Sequence, residues 1–156
     1  MFLVFVGIVI SIYYFNMAAV KKQDRILQNN LFIQGRVLTT KTSTNHSFGI
    51  ISLDLDTANV KEFNDTVDTF IYPYKIKNGK AEVYTFIPDG ISKGDKVTVN
   101  SNEKKAIYFD MNSNQRFEGS IKIITDKDDI EYVKENTDLR YAFISNIHKP
   151  QLTDLQ

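Results

Sequence analysis

The sequence predicts a mainly β protein, a small antiparallel barrel or sandwich of about seven strands with one or two short helices, held behind an N-terminal transmembrane helix. Three observations carry this. Residues 2–20 are uncharged and mostly apolar, and Lys21 and Lys22 end the run abruptly. Beyond residue 31 apolar side chains recur with period two, as strands with one buried face require. Turn residues separate these runs at short intervals, the pattern of an all-β domain.

The N-terminal run, residues 2–20, would reach about 28 Å as a helix at 1.5 Å per residue, close to the hydrocarbon thickness of a bilayer. Tyr13 and Tyr14 fall toward its C-terminal end, suited to an interfacial belt, and Asn16 lies near enough to that end to reach headgroups. A cleaved signal peptide fits less well, because no Lys or Arg precedes the apolar run and the small residues Ala18 and Ala19 are poorly spaced for cleavage. Residues 1–20 therefore read as a transmembrane helix or signal anchor, and residues 2–20 make the membrane a partner. Orientation is contested. The basic Lys21, Lys22 and Arg25 favour a cytoplasmic domain, whereas the neutral, Thr-, Asn- and Ser-rich character of the β-domain favours an extracytoplasmic one. The second placement is the expectation adopted.

Residues 21–30 read as a polar juxtamembrane linker, with a continuation of the helix as the alternative, and residues 31–125 as the barrel-like domain. Phe32–Leu38 is a first strand, with Gly35 marking a bulge or a close backbone approach. Phe48–Leu55 is a second. Asp56 or Thr57 would cap a short helix carrying Val60 and Phe63 inward. Asn78-Gly79 between Phe70–Lys77 and Lys80–Ile87 is a two-residue hairpin turn that sets Lys75 opposite Glu82 and Ile76 opposite Ala81. Lys96–Asn100 and Lys105–Phe109 are short strands, and Phe117, Gly119, Ile121 and Ile123 alternate along a last one. Residues 126–156 form an extension. Asp126–Asn136 suits a short helix behind an Asp cap, Leu139–Ile147 is apolar enough to pack back as strand or helix, and the end is frayed.

Composition excludes several functions. There is no cysteine, so disulfides, thiolate metal sites and cysteine nucleophiles are absent. Nineteen basic and nineteen acidic residues cancel, and no basic stripe is present to meet phosphates, which argues against nucleic acid as a partner. The two histidines, His46 and His148, stand far apart in polar stretches and read as surface residues. No cofactor motif is present and none is expected.

Two groups remain as candidate sites. Tyr72, Tyr74, Tyr84 and Tyr108, with Phe86, crowd around the hairpin and would make an aromatic binding surface, or else cross-strand pairs and core. Asp110, Asn112 and Asn114 place oxygens at alternate positions, as a calcium loop begins, but Gln115 and Ile121 stand where such a loop needs Gly and Glu. A plain polar turn is the competing reading. Asp54 with Asp56, and Asp126 with Asp128 and Asp129, are spaced carboxylates that loop and helix-start positions explain.

Gly90-Ile-Ser-Lys-Gly94-Asp95-Lys96-Val97, followed by Asn100-Ser101-Asn102 and Ala106-Ile-Tyr-Phe109, resembles a segment of small membrane-anchored β-domain proteins of Bacteroidota. The Gly35-Arg-Val strand fits as well, and Lys96 departs from that pattern, which has Ser. The resemblance spans about residues 32–124 and implies an envelope-associated domain without a known activity. The expectation is a single-pass membrane protein whose non-catalytic β-domain binds a protein or envelope component. The alternative is a membrane-anchored hydrolase or metal-dependent enzyme with a carboxylate site that includes Asp54 and Asp110.

Overall fold

The computed structural model describes residues 2–44, 47–67 and 69–139, except for the side chains of residues 2–5, 7–9, 11–12, 15–16 and 67. The chain runs α1 (Phe2–Leu27), β1 (Phe32–Thr42), β2 (Phe48–Ala58), β3 (Thr66–Val67), β4 (Phe70–Ile71), β5 (Tyr74–Lys77), β6 (Lys80–Phe86), β7 (Lys96–Asn100), β8 (Lys105–Asp110), β9 (Gln115–Ser120) and α2 (Lys127–Asn136). Seven strands form one antiparallel sheet in the order β5-β6-β2-β1-β7-β8-β9, and β3 with β4 makes a separate two-stranded ribbon.

This sheet is open, which corrects the expectation of a barrel or sandwich. Its end strands β5 and β9 do not meet. No second sheet is needed, because the core face is covered by other means. Val97 and Val99, Ala106 and Tyr108, Ala81 and Val83, and Ile51 and Leu53 point to one side with strict alternation, as the pleat demands. Leu27 and Leu31 from the end of α1, Ile121 and Ile123 after β9, and Phe63, Phe70 and Tyr72 from the segment before β5 close over them. The opposite face has a smaller cluster, Phe48, Ile50 and Tyr84 of the sheet under Ile124 and under Ile130 and Val133 of α2.

The Asn78-Gly79 hairpin has the expected form. Both residues have positive φ, 53° and 74°, and the register pairs Lys75 with Glu82 and Ile76 with Ala81. The strand before it is shorter than expected, because Pro73 lies between β4 and β5 and has no N–H to give a ladder. The helix expected after Asp56 is absent. β2 runs on through Ala58, and Phe63 instead exchanges backbone hydrogen bonds with Ile76 at the β5 edge. The last strand stops at Ser120. Ile121 donates to the Lys104 carbonyl, and Ile124 crosses to exchange two bonds with Ile71 of β4. α2 forms as expected, with the Asp126 carboxylate accepting from the amides of Asp128 and Asp129.

Gly35 is both a bulge and a close approach. The β1–β2 register shifts between Gln34 and Gly35, and a Cβ there would run into the Asp54 carbonyl oxygen. Backbone cannot yield as a flexible side chain does, so Gly35→Ala should cost about 1–3 kcal/mol. A urea midpoint unchanged from the native protein would show that the two strands have room to separate.

Over residues 21–27 the structure shows the helical continuation rather than an irregular linker. The helix continues unbroken to Leu27, and Leu27 and Leu31 are buried in the sheet's core. Among the described residues no helix is long and apolar enough to cross a membrane. The expectation of a spanning helix over residues 2–20 rests on side chains many of which lie outside the described residues.

Candidate functional site

Two regions gather polar and aromatic groups in unusual density, and neither is the surface expected from sequence. The first is the junction of α1 with the sheet. Ile26 and Asn29 are met by the hydroxyls of Tyr72 and Tyr74, which donate to the Ile26 carbonyl (3.3 Å) and to Asn29 Oδ1 (2.9 Å). Phe63, Tyr72 and Tyr74 pack ring against ring, with centroids 4.9 to 5.8 Å apart. Lys104 Nζ reaches Asp24 at 2.7 Å, and Gln28 Nε2 donates to the Asn102 carbonyl. Leu31 and Ser101 are doubly joined, the Leu31 amide donating to Ser101 Oγ and the Ser101 amide to the Leu31 carbonyl.

Tyr74, Tyr84 and Tyr108 are nearly inaccessible, so the tyrosines expected to form a binding surface are mostly core and junction residues. Only Tyr72 is half-exposed. They also divide between faces, because Tyr84 lies in the cluster under α2 and the others in or against the main core. Burial pushes the Tyr74 phenol up to about 12, only partly offset by its bonds to Asn29 and Ser101. Burial likewise raises Tyr108, with a bond to Thr85 opposing it. A folded-state value above the unfolded one, about 10, means that this stability is complete below pH 10 and lost as pH rises toward 12. Tyr74→Phe should therefore flatten the alkaline decline of the urea midpoint between about pH 10 and 12. An unaltered decline would place its origin in other groups.

The second region lies on the opposite face, around Glu82 of β6. This carboxylate is 1% exposed, the most deeply placed charged side chain of the sheet. Oε2 accepts from the hydroxyls of Thr137 (2.5 Å) and Tyr84 (2.9 Å), and Oε1 from the amides of Asp138 (2.7 Å) and Leu139 (3.3 Å). Lys75 stands opposite in the register. Burial pulls its ammonium down, and Glu82 works against that shift. Lys41 Nζ, on β1 two strands away, bonds the Asn136 carbonyl and the Asp138 carboxylate. Glu82 thus fastens the chain after α2 to the sheet. Its place between the inward-facing Ala81 and Val83 fits a residue on a solvated face, so the sequence gave no signal for this burial.

Asp110 closes its own turn. Its oxygens accept from the amides of Asn112 and Ser113 and from the Ser113 hydroxyl (2.6 Å), and the Ser113 bonds hold the carboxyl below its ordinary value. Asn114 adopts positive φ at the turn's end. Neighbouring Asp95 is buried and accepts from the Met111 amide and from Ser92, so it ties that turn to the one before β7. Among the described residues no three His, Cys, Asp or Glu side chains are grouped to hold a metal ion. Asp54 and Asp56 are exposed, Asp56 lying 4.0 Å from Arg36, and Asp126 serves as the cap of α2. Asp54 and Asp110 do not converge, because β1 and β7 lie between their strands, a separation of about 14 Å at 4.8 Å per strand. His46 and His148 lie outside the described residues.

A recess of about 160 Å³ opens beside the start of α2, with Phe48, Tyr84 and Phe86 on one side and Lys122, Asp126 and Asp129 at its rim. It is small for a ligand pocket.

The class this architecture defines is an open, seven-stranded antiparallel sheet with an N-terminal helix docked into its core. No protein-family model matches the chain, and neither the curated proteins nor the solved structures yield a match.

Proposed function

We propose that the protein is a single-pass membrane protein whose residues 2–20 are the anchor and whose β-domain is a non-catalytic module that binds a protein or cell-envelope component on the extracytoplasmic side. The observation that carries the anchor is the state of α1. Ile10, Tyr13, Tyr14, Met17 and Val20 are exposed, Tyr14 to 69%, while the sheet completes its own core without them. Large apolar side chains left bare along successive helical turns need a cover, and the uncharged stretch around them suits lipid. A binding module is favoured over a hydrolase because Asp110 and Asp126 are spent on a turn and a cap, and Asp54 is exposed three strands away from Asp110.

Alkaline carbonate extraction of membranes from expressing cells tests the anchor. The full chain should stay in the membrane pellet, and Ile10→Asp should release a substantial fraction, since a charge near the middle of a spanning helix costs about 2.5–3.5 kcal/mol. Complete extraction of the native chain would contradict the reading. Added protease in intact cells tests the side: digestion of the domain without lysis is expected, and survival until the inner membrane is broken would place it in the cytoplasm.

A further inference from the structure

The apolar end of α1 and the β-domain are joined without slack. The helix runs unbroken from Phe2 to Leu27, and its last residue is 1% exposed inside the sheet's core. Asp24 lies four residues past Val20, about 6 Å further along the axis. At that level the turn between β7 and β8 meets the helix, because Lys104 Nζ sits 2.7 Å from Asp24. The polar layer on each side of a bilayer is about 5–7 Å deep, the difference between its full and hydrocarbon thickness. If Val20 ends the buried part, the turn has no other place to be than in that layer.

Charge completes the picture. Lys21, Lys22 and Arg25 lie at this level of the helix, Lys21, Lys22 and Arg25 all being at least partly open to solvent. Asp24, the acid among them, is already neutralised by Lys104. The collar therefore presents three cations, opposed only by the exposed Glu103 of the turn, a net charge of +2 when Lys104 and Asp24 cancel.

We propose that the base of the domain, the Ser101–Lys104 turn with the last two turns of α1, rests in the headgroup layer and binds anionic phospholipid headgroups through Lys21, Lys22 and Arg25. This rests on the reading of residues 2–20 as the anchor. The domain is a rigid platform on the membrane surface rather than a module on a tether, so its partner meets it close to the lipid.

Because the chain has no cysteine, single cysteines report position without background. Full-length Ile10→Cys, Glu103→Cys and Asn112→Cys, each carrying a fluorophore, are reconstituted in vesicles of phosphatidylcholine and phosphatidylglycerol containing spin-labelled lipids. Asn112 lies at the other end of β8, about 17 Å along the strand from its start. Headgroup labels should quench position 103 severalfold more than position 112. Quenching at 103 should be stronger from labelled phosphatidylglycerol than from labelled phosphatidylcholine, and the difference should vanish in K21Q/K22Q/R25Q. Equal quenching at 103 and 112, or equal quenching by the two lipids, overturns the proposal. Position 10 separates this from the anchor itself: acyl-chain labels should quench it in every case, and if they do not, the anchor reading fails first.

Discussion

Replacing Glu82 by alanine should lower the stability of the domain by about 2–4 kcal/mol, one of the two largest effects expected of a single substitution. Four donors converge on this carboxylate: the Tyr84 and Thr137 hydroxyls and the Asp138 and Leu139 amides. Truncation leaves all four short of an acceptor in a buried place, and each such loss carries the desolvation penalty of the stranded group. Glu82→Gln separates charge from volume. Its amide fills the same space, but one oxygen becomes an NH₂ that faces donors, so it too should destabilise, by less. Urea midpoints of both variants against the native chain give the test. Faster amide exchange at Thr137 should accompany the loss, because the chain after α2 depends on this bond set. A Glu82→Ala midpoint within error of native would mean that the segment after α2 is held by the Ile130 and Val133 contacts alone.

Leu27→Ala should cost about 2–5 kcal/mol, the range for emptying a buried leucine site. The comparison that gives this weight is Asp24→Asn. The Asp24–Lys104 pair is partly exposed, 41% and 36% at its respective side chains, and pairs of that kind contribute about 0.2–1 kcal/mol. Apolar burial, not the ion pair, is thus what holds α1 to the sheet. Thermal or urea unfolding of both variants in the same detergent decides it. A larger loss from Asp24→Asn than from Leu27→Ala would reverse that order.

Much of the sheet was legible in the sequence because its signals are local. Asn78-Gly79 demands positive φ, and the register of β5 with β6 follows from it residue by residue. Gly35 announced both the bulge and the close approach to Asp54. The Asp126 cap and the Ile130–Val133 spacing gave α2. What escaped depends on contacts far along the chain. Residues 21–30 look like a polar linker because eight of the ten are polar or charged, yet the exceptions, Ile26 and Leu27, fit the end of the sheet core. The stretch after Asp56 carries Val60 and Phe63 at helical spacing, but its pairing with Ile76 wins. Closure of the sheet was also out of reach, since alternation dictates which face is buried and not what covers it. The tyrosines show the same limit. Their density near the hairpin is real, but Tyr74 and Tyr108 serve the core and Tyr72 the junction with α1. Glu82 was legible as Lys75's partner and not as the clasp of Thr137, which lies 55 residues away.

Amide hydrogen exchange at Leu31 and Ser101, in the full chain in lipid nanodiscs, tests most directly whether the order of the sheet runs on to the end of α1 without a flexible joint. These two amides lie just past α1 and carry the β1–β7 ladder one step beyond the Phe32–Asn100 pair, Leu31 donating to Ser101 Oγ and Ser101 to the Leu31 carbonyl, so they report whether the ordered sheet reaches the end of the helix. Protection at both comparable to that of Val97 and Val99 in the core is the predicted result. Exchange at Leu31 as fast as in an unstructured peptide, with the sheet core still protected, would contradict it and return residues 21–31 to the role of a flexible tether.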